Sequence, residues 1–449
     1  MAEFDLDGGI VGQPHELRHS RDSSFPDAAV SATSPGVAGR TWSSIKTIAR
    51  HAVGAAARRG RRWLNPPAPS LPVPGVEMPF VFSDYLAALH EARTVCLGDM
   101  PPGARTVLSV GAGGGWYFDW FARAYGDVER HIAVEAFFPR PDELPENVEW
   151  LAADLAGPDG VASVDSDSVD LVFSGQNIEH LWPEQVVALL AESNRVLRPG
   201  GWLVVDSPNR NLTEAYRWTM EEHTVELAPG EASRLLELAG FEVVTMKGLW
   251  LCRRDGELLD LQPPGTVAGA SEVLERMMKA AGRPADSFIW WVEARKVADP
   301  DEAGLESEVR AIFSDHSGER VGRMRSNEGT PCTLADGRAG VSLEKGSSGY
   351  LFFGPYLPLR AGRYELAVEL EWADCHDQDG PVGVLEVVAR DGPRGEVPVL
   401  PSGPAGRTVL RYTLDLETLH FGVQARLRST GTALLSAPLS LSVTPDPYQ

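Results

Sequence analysis

Across the middle of this chain, short apolar runs alternate with helical stretches, and that alternation constrains the fold more than any other feature. The apolar runs fall at 105–110, 131–135, 169–173, 201–206 and 241–246, with a last one at 288–295. Helical periodicity fills 115–126, 183–197 and 230–239. Strands that take turns with helices build a parallel sheet covered on both faces. A domain of this class is expected over residues 77–298.

With 449 residues the chain is too long for one ordinary domain. After residue 330 the pattern changes. Runs such as Tyr350–Phe353, Tyr364–Leu370, Val384–Val388 and Thr408–Leu414 are separated by Gly, Pro and Asp turns, with no strong helix between them. This is the pattern of an all-β sandwich, expected over 330–449. Residues 299–329 are polar and charged and are expected to form a linker or a peripheral helix.

The net charge of −22 excludes a general nucleic-acid binder, because phosphates would be repelled. The charge is uneven. Residues 1–64 hold nine Lys/Arg against six Asp/Glu, a balance of +3, so the rest carries −25. Residues 1–76 are expected to be a disordered leader that ends in a stiff stretch with Pro66, Pro67, Pro69, Pro72 and Pro74. Within it, Trp42, Ile45 and Ala56 recur at helical spacing over 41–64, among Lys46, Arg50, Arg58, Arg59, Arg61 and Arg62. Such a segment reads either as a basic amphipathic helix on an anionic membrane or as a solvated leader. Membrane association of the first kind is lost in salt. The four cysteines, Cys96, Cys252, Cys332 and Cys375, form no CxxC pair, which speaks against a zinc ribbon or a disulfide framework. No secretory signal is read at Met1 and no apolar run spans a bilayer. The expected location is cytoplasmic, with peripheral contact at the inner membrane face if the leader binds there.

Three features carry chemistry. Val107-Leu108-Ser109-Val110-Gly111-Ala112-Gly113-Gly114-Gly115 is an apolar strand running into a glycine-rich turn. Such turns let the backbone approach a nucleotide-like cofactor outside the carboxyl end of a first strand, though they also occur as plain structural turns. Glu135 ends the next strand. A carboxylate there can accept both hydroxyls of a ribose, of a dinucleotide or an adenosyl cofactor alike. Trp116 separates the two: a dinucleotide loop wants a third glycine at that position, and a cofactor without a pyrophosphate does not.

These residues resemble the class I S-adenosylmethionine-dependent methyltransferase family over roughly 78–297. The resemblance rests on the 107–115 segment, Glu135, Ala153-Asp154-Leu155, Asp170-Leu171-Val172-Phe173-Ser174, Glu179-His180, Leu197–Val205 and Leu235–Phe241. It implies a Rossmann-like, seven-stranded, mostly parallel sheet and S-adenosylmethionine as cofactor. It further implies that Gly111, Ala112 and Gly113 pass beneath the methionine part and that Glu135 holds the ribose. Asp154 and Leu155 would frame the adenine, with Gln176 and Asn177 lining the cofactor and substrate side. One position departs from the family: Ser109 stands where an acid is usual.

His180 is the candidate general base, with packing or capping as its other reading. His223 lies in a second segment, about 207–229, where Asn209, Asn211, Tyr216 and Trp218 mix polar and aromatic groups. No metal site is read from the spacing of acids and histidines. Gly354–Tyr364 resembles a motif of small carbohydrate-binding-like β-sandwiches attached to glycan-modifying enzymes. There Tyr350, Phe353, Tyr356, Trp372 and Tyr412 are either sugar-stacking residues or core. The expected activity is methylation of a sugar hydroxyl in a glycan or small-molecule acceptor. The alternatives are a non-sugar small molecule, or a cofactor-binding scaffold without turnover.

Overall fold

The computed structural model describes residues 85–447 except 114–117, 119–120, 122–127, 156, 158–159, 219, 263–268, 322 and 377–379. The leader 1–76 with its basic segment, Gly114 and Gly115, and most of the helix expected at 115–126 lie outside the described residues. Two compact units emerge. The first holds the described residues up to Ile178 with Ala188–Arg217 and Leu227–Pro300; the second holds Glu179–Val187, Trp218–Glu226 and the chain from Asp301.

The first unit opens with α1 (Tyr85–Leu97) and is built on one sheet. Its strands are β1 (Thr106–Val110), β2 (Arg130–Glu135), β3 (Val148–Ala152), β4 (Val169–Gly175), β5 (Leu197–Pro208), β6 (Phe241–Leu251) and β9 (Ser287–Lys296). They lie in the order β3-β2-β1-β4-β5-β9-β6. The first four pairings are parallel, while β9 runs antiparallel to both β5 and β6. A two-residue ribbon, β7 (Arg253–Arg254) with β8 (Glu257–Leu258), follows β6. The order reverses at β1 and β4, so the carboxyl ends of β1, β2 and β4 open onto one crevice, where such sheets take ligands.

The central strands β1, β2 and β4 form where their residues can be buried on both faces. Val107, Leu108, Ile132, Ala133, Leu171, Val172 and Phe173 are all at most 1% exposed. The helices follow the 3.6-residue period. In α2 (Pro183–Val196), Val186, Leu189, Leu190 and Val196 make the buried face. A short α3 (Arg210–Ala215) precedes α4 (Pro229–Leu238), which buries Ala232, Leu235 and Leu236. Helix α5 (Gly269–Ala280) comes before β9. On β9, Trp290 and Trp291 are the largest core residues, and Trp291 meets the Phe173 ring at 5.9 Å between centroids.

In the second unit one open alternative resolves and one boundary differs from expectation. Residues 299–329 carry α6 (Glu302–Val321), a helix of 20 residues. Leu305, Val309, Ile312 and Phe313 fall on one face and are buried, so the segment has a core-facing stripe that its polar composition hides. Residues 179–187 and 218–226, expected inside the first domain, cluster with the second unit. Charge holds them there: Arg360 pairs with Glu184 and stacks on Trp182, and Arg390 reaches Glu221 and Glu222.

The remainder of this unit is two antiparallel sheets. One is β10 (Thr330–Thr333), β11 (Ala339–Leu343), β19 (Leu434–Ala437), β14 (Gly362–Ala373) and β17 (Gly406–Leu416), with β20 (Ser442–Thr444) on β14. The other is β12 (Gly349–Phe352), β18 (His420–Ser429), β15 (Gly383–Ala389) and β16 (Gly392–Val399), with β13 (Pro355–Leu359) on β18. Their apolar residues, among them Leu351, Phe352, Leu366, Leu385 and Leu427, form one core. Two aromatics are spent on this packing. Trp372 lies opposite Gly406, where an added Cβ would sit 2.3 Å from its ring, and its Nε1 donates to the Gly403 carbonyl. Tyr412 covers Gly395 in the same way and donates its hydroxyl to the Arg394 carbonyl.

Ser109 and His131, on neighbouring strands of the first unit, share a buried hydrogen bond of 2.5 Å. The imidazole meets Phe118 and Phe121 edge-on, and burial pushes it down from the ordinary 6.5 to about 4. The folded protein therefore holds His131 neutral, while the unfolded chain takes up a proton below pH 6.5. The resulting stability is present above that pH and is lost as pH falls toward 4. It amounts to about 3 kcal/mol. In thermal unfolding between pH 7 and pH 4, a His131→Gln variant should lose less stability than the wild type on acidification.

Candidate functional site: a glycine turn clamped by a carboxylate

The site in the first unit is assembled where β1 turns into its loop. Gly111 and Gly113 both adopt left-handed backbone, with φ of 71° and 54°, which favours glycine. The N–H groups of Gly111 and Ala112 both donate to the Val134 carbonyl, at 3.0 and 3.1 Å. The turn thus hangs from β2 and exposes bare backbone.

Glu135 completes the clamp. It is 5% exposed, and its two oxygens collect three backbone donors. Oε2 accepts from Gly113 at 2.7 Å, and Oε1 accepts from Phe137 at 2.8 Å and Phe138 at 3.1 Å. The Glu135 carbonyl also accepts from Ala153, at 3.1 Å, which ties in the end of β3. A carboxylate offers about four acceptor positions. Three of these are engaged by the backbone donors of Gly113, Phe137 and Phe138. Asp154 is exposed and Leu155 is buried, both just past β3 on the same edge.

Asn177 meets the turn directly. A Cβ on Gly111 would stand 2.4 Å from Asn177 Oδ1 and 2.5 Å from its Cγ. Asn177 is itself held by donating to Ser174 Oγ at 3.0 Å. Gln176 is turned the other way. Its φ is 51°, and its Nε2 donates to Asp206 Oδ2 at 3.0 Å.

That carboxylate belongs to a network that sequence patterning did not reveal. Arg93 on α1 grips Asp206 on β5 through Nε at 2.7 Å and a second nitrogen at 3.2 Å. The side chains are 5% and 0% exposed. Gly175 leaves the space for this pair, since a Cβ there would lie 2.6 Å from Asp206 Oδ1 and 2.7 Å from the Arg93 guanidinium. A buried, bidentate pair with Gln176 as a third partner fixes the backbone beside Asn177. The partners are 113 residues apart, and no spacing signal links them.

Ser109 is committed to His131, so it brings no charge to the turn. His180 and His223 stand in the second unit. His180 closes a 3₁₀ turn (Ile178–His180), three residues along the chain from Asn177. Its ring meets His223 edge-on, at 4.7 Å between centroids. Glu179, His180 and His223 each offer a potential ligand atom within 4.8 Å of the others. Of the remaining polar residues singled out at 207–229, Asn209 is buried and donates to the carbonyls of Pro284, Ala285 and Ser287. Tyr216 donates to the Leu259 carbonyl at 2.6 Å. Both hold loops of the first unit together.

The glycine geometry makes an ordered prediction. Gly111→Ala meets Asn177 and a left-handed φ together. Gly113→Ala has no heavy atom within 4 Å among the described residues, so it carries only the left-handed strain of about 1–2 kcal/mol. Chemical denaturation and binding of S-adenosylhomocysteine should both show Gly111→Ala as the more damaged variant.

A methyltransferase domain family model matches residues 108–205, the stretch from β1 to β5. A protein of Mycolicibacterium smegmatis described as a "Probable S-adenosylmethionine-dependent methyltransferase" is 33% identical over 205 residues, covering 41% of this chain and 73% of that protein. A protein of the same description from Mycobacterium tuberculosis is 35% identical over 184 residues, covering 37% of this chain and 62% of its own length. A solved methyltransferase structure from Archaeoglobus fulgidus is 20% identical and covers 47% of this chain and 93% of its own, at a TM-score of 0.34. The carboxylate-clamped turn and the sheet order thus stand in a chain that belongs to the S-adenosylmethionine-dependent methyltransferase family.

Proposed function

We propose that the protein methylates a hydroxyl group of a sugar-type small-molecule or glycan acceptor. The observation that carries the hydroxyl assignment is the fixed ring of His180. Its Nδ1 lies 3.3 Å from the Glu222 carbonyl, which can only accept, so Nδ1 carries the hydrogen and Nε2 keeps a basic lone pair. A hydroxyl must lose its proton during methylation, and a positioned imidazole serves that need.

S-adenosylmethionine, when bound, supplies a methyl group already activated on a positively charged sulfur. The protein's part is then alignment. The bare backbone of Gly111, Ala112 and Gly113 allows close approach, Glu135 Oε2 orients a ribose hydroxyl, and Asp154 and Leu155 flank the adenine. Gln176 and Asn177 line the reacting side. The sugar assignment draws on the second unit. Phe353 and Tyr356 stay half-exposed there and meet at 6.5 Å between ring centroids, while Trp372 and Tyr412 belong to the packing.

The test is transfer of labelled methyl from S-adenosylmethionine to a panel of sugar nucleotides, glycolipids and phenols. Sugar hydroxyls should be labelled, and His180→Gln should lower kcat by about 10²–10⁴ while leaving cofactor affinity intact. Labelling confined to phenols would favour the non-sugar reading. Cofactor binding without transfer to any acceptor would favour a scaffold.

A further inference from the structure

We propose that Glu179, His180 and His223 form a binding site for a first-row divalent transition cation, with Glu226 as its outer support. The cluster lies within the second unit, and one potential ligand atom from each residue falls within 4.8 Å of the other two. Two imidazoles and one carboxylate are the donor set that zinc and ferrous iron take, and not the all-oxygen set of magnesium or calcium.

The surroundings are what turn three residues into a site. Histidines that hold metals donate their second ring nitrogen to a carboxylate or a carbonyl, which fixes the ring and directs the other nitrogen to the ion. Both rings here have such a partner at Nδ1. His223 Nδ1 lies 2.9 Å from Glu226 Oε1, and His180 Nδ1 lies 3.3 Å from the Glu222 carbonyl. Both partners are acceptors, so Nδ1 is the protonated nitrogen in each ring and Nε2 is the donor toward a cation. Glu226 is 2% exposed, and its other oxygen is 3.9 Å from Arg323. The third ligand comes with its own fastening. Glu179 is 1% exposed, and its carbonyl accepts from both the N–H and the hydroxyl of Thr224, at 2.8 and 3.0 Å. The two segments that supply the ligands are thereby locked together one residue from His223.

A buried carboxylate beside two imidazoles gains from a doubly charged centre, because the ion repays the desolvation of the acid. Ligand atoms at about 2.1 Å from one ion lie about 3.4 Å apart, so separations within 4.8 Å close by up to about 1.4 Å on binding. The site uses none of the cofactor residues, but it shares His180 with the methyl-transfer reading. The two meet only at His180: an Nε2 that coordinates a cation is not at that moment a base.

The full chain, stripped with chelator and dialysed, is titrated with Zn²⁺ and Co²⁺ in the presence of Mg²⁺. One cation per chain should bind in the micromolar range or tighter without competition from Mg²⁺. Glu179→Gln and His223→Ala should each lower affinity at least about 100-fold, and Glu226→Gln about 10–100-fold. His420→Ala, outside the cluster, should bind as the wild type does. Binding of S-adenosylhomocysteine and circular dichroism report whether each variant is folded. Should a ligand variant not fold, the Co²⁺-loaded wild type decides by proton NMR, where two exchangeable imidazole protons shifted by the ion are expected. No saturable binding by the wild type, undiminished binding in the folded His223→Ala variant, or a Co²⁺ spectrum without those two protons overturns the proposal.

Discussion

The carboxylate of Glu135 gathers the N–H of Gly113 on one side and those of Phe137 and Phe138 on the other, and the cofactor edge of the sheet depends on that one group. Each of these donors would otherwise face a crevice with no strand to pair with. Burying the carboxylate is tolerable because three backbone dipoles surround it. The glycine turn, the end of β2 and, through the Glu135 carbonyl, the end of β3 are thereby tied together. The same residue that would hold the ribose therefore shapes the turn beneath it, so its loss combines a missing contact with a loosened loop.

A second buried charge works on the neighbouring strand ends. Arg93 and Asp206 pair with almost no exposure, and Gln176 adds its amide to Asp206. Such a pair adds little net stability over an apolar one, but removing either partner leaves a charge stranded. Its value here is placement. It fixes the left-handed Gln176, and with it Asn177, whose side chain stands against Gly111. The crevice is thus ordered by polar fastenings at its rim and by the apolar packing of β1, β2 and β4 below.

Much of this was legible in the sequence, for a physical reason. Strands buried on both faces must be apolar throughout, so β1, β2, β4 and β5 stood out as runs. Glu135 and the glycines sit at strand ends, where local order along the chain gives the position in space. What escaped were pairs made by the fold over long separations: Arg93 with Asp206, and Glu179 and His180 with His223. Nothing in spacing announces a contact between two loops. Helix α6 stayed open between a linker and a helix, since Leu305, Val309, Ile312 and Phe313 carried the period but lay among acids. The aromatics of the second unit were ambiguous for want of register, and only pairing with Gly406 and Gly395 assigned Trp372 and Tyr412 to the packing. Ser109 looked like a missing acid at the cofactor turn. It is half of a buried pair whose other half, His131, sits on the next strand.

The most direct test of the central claim is calorimetric titration of S-adenosylhomocysteine into the wild type, Glu135→Gln and Glu135→Ala. The clamp predicts saturable, micromolar-range binding by the wild type, weakening in Glu135→Gln, and a further loss in Glu135→Ala. Each charge-assisted hydrogen bond removed should cost about 1.5–3 kcal/mol. No saturable binding by the wild type, or equal affinity in a folded Glu135→Ala variant, would contradict it.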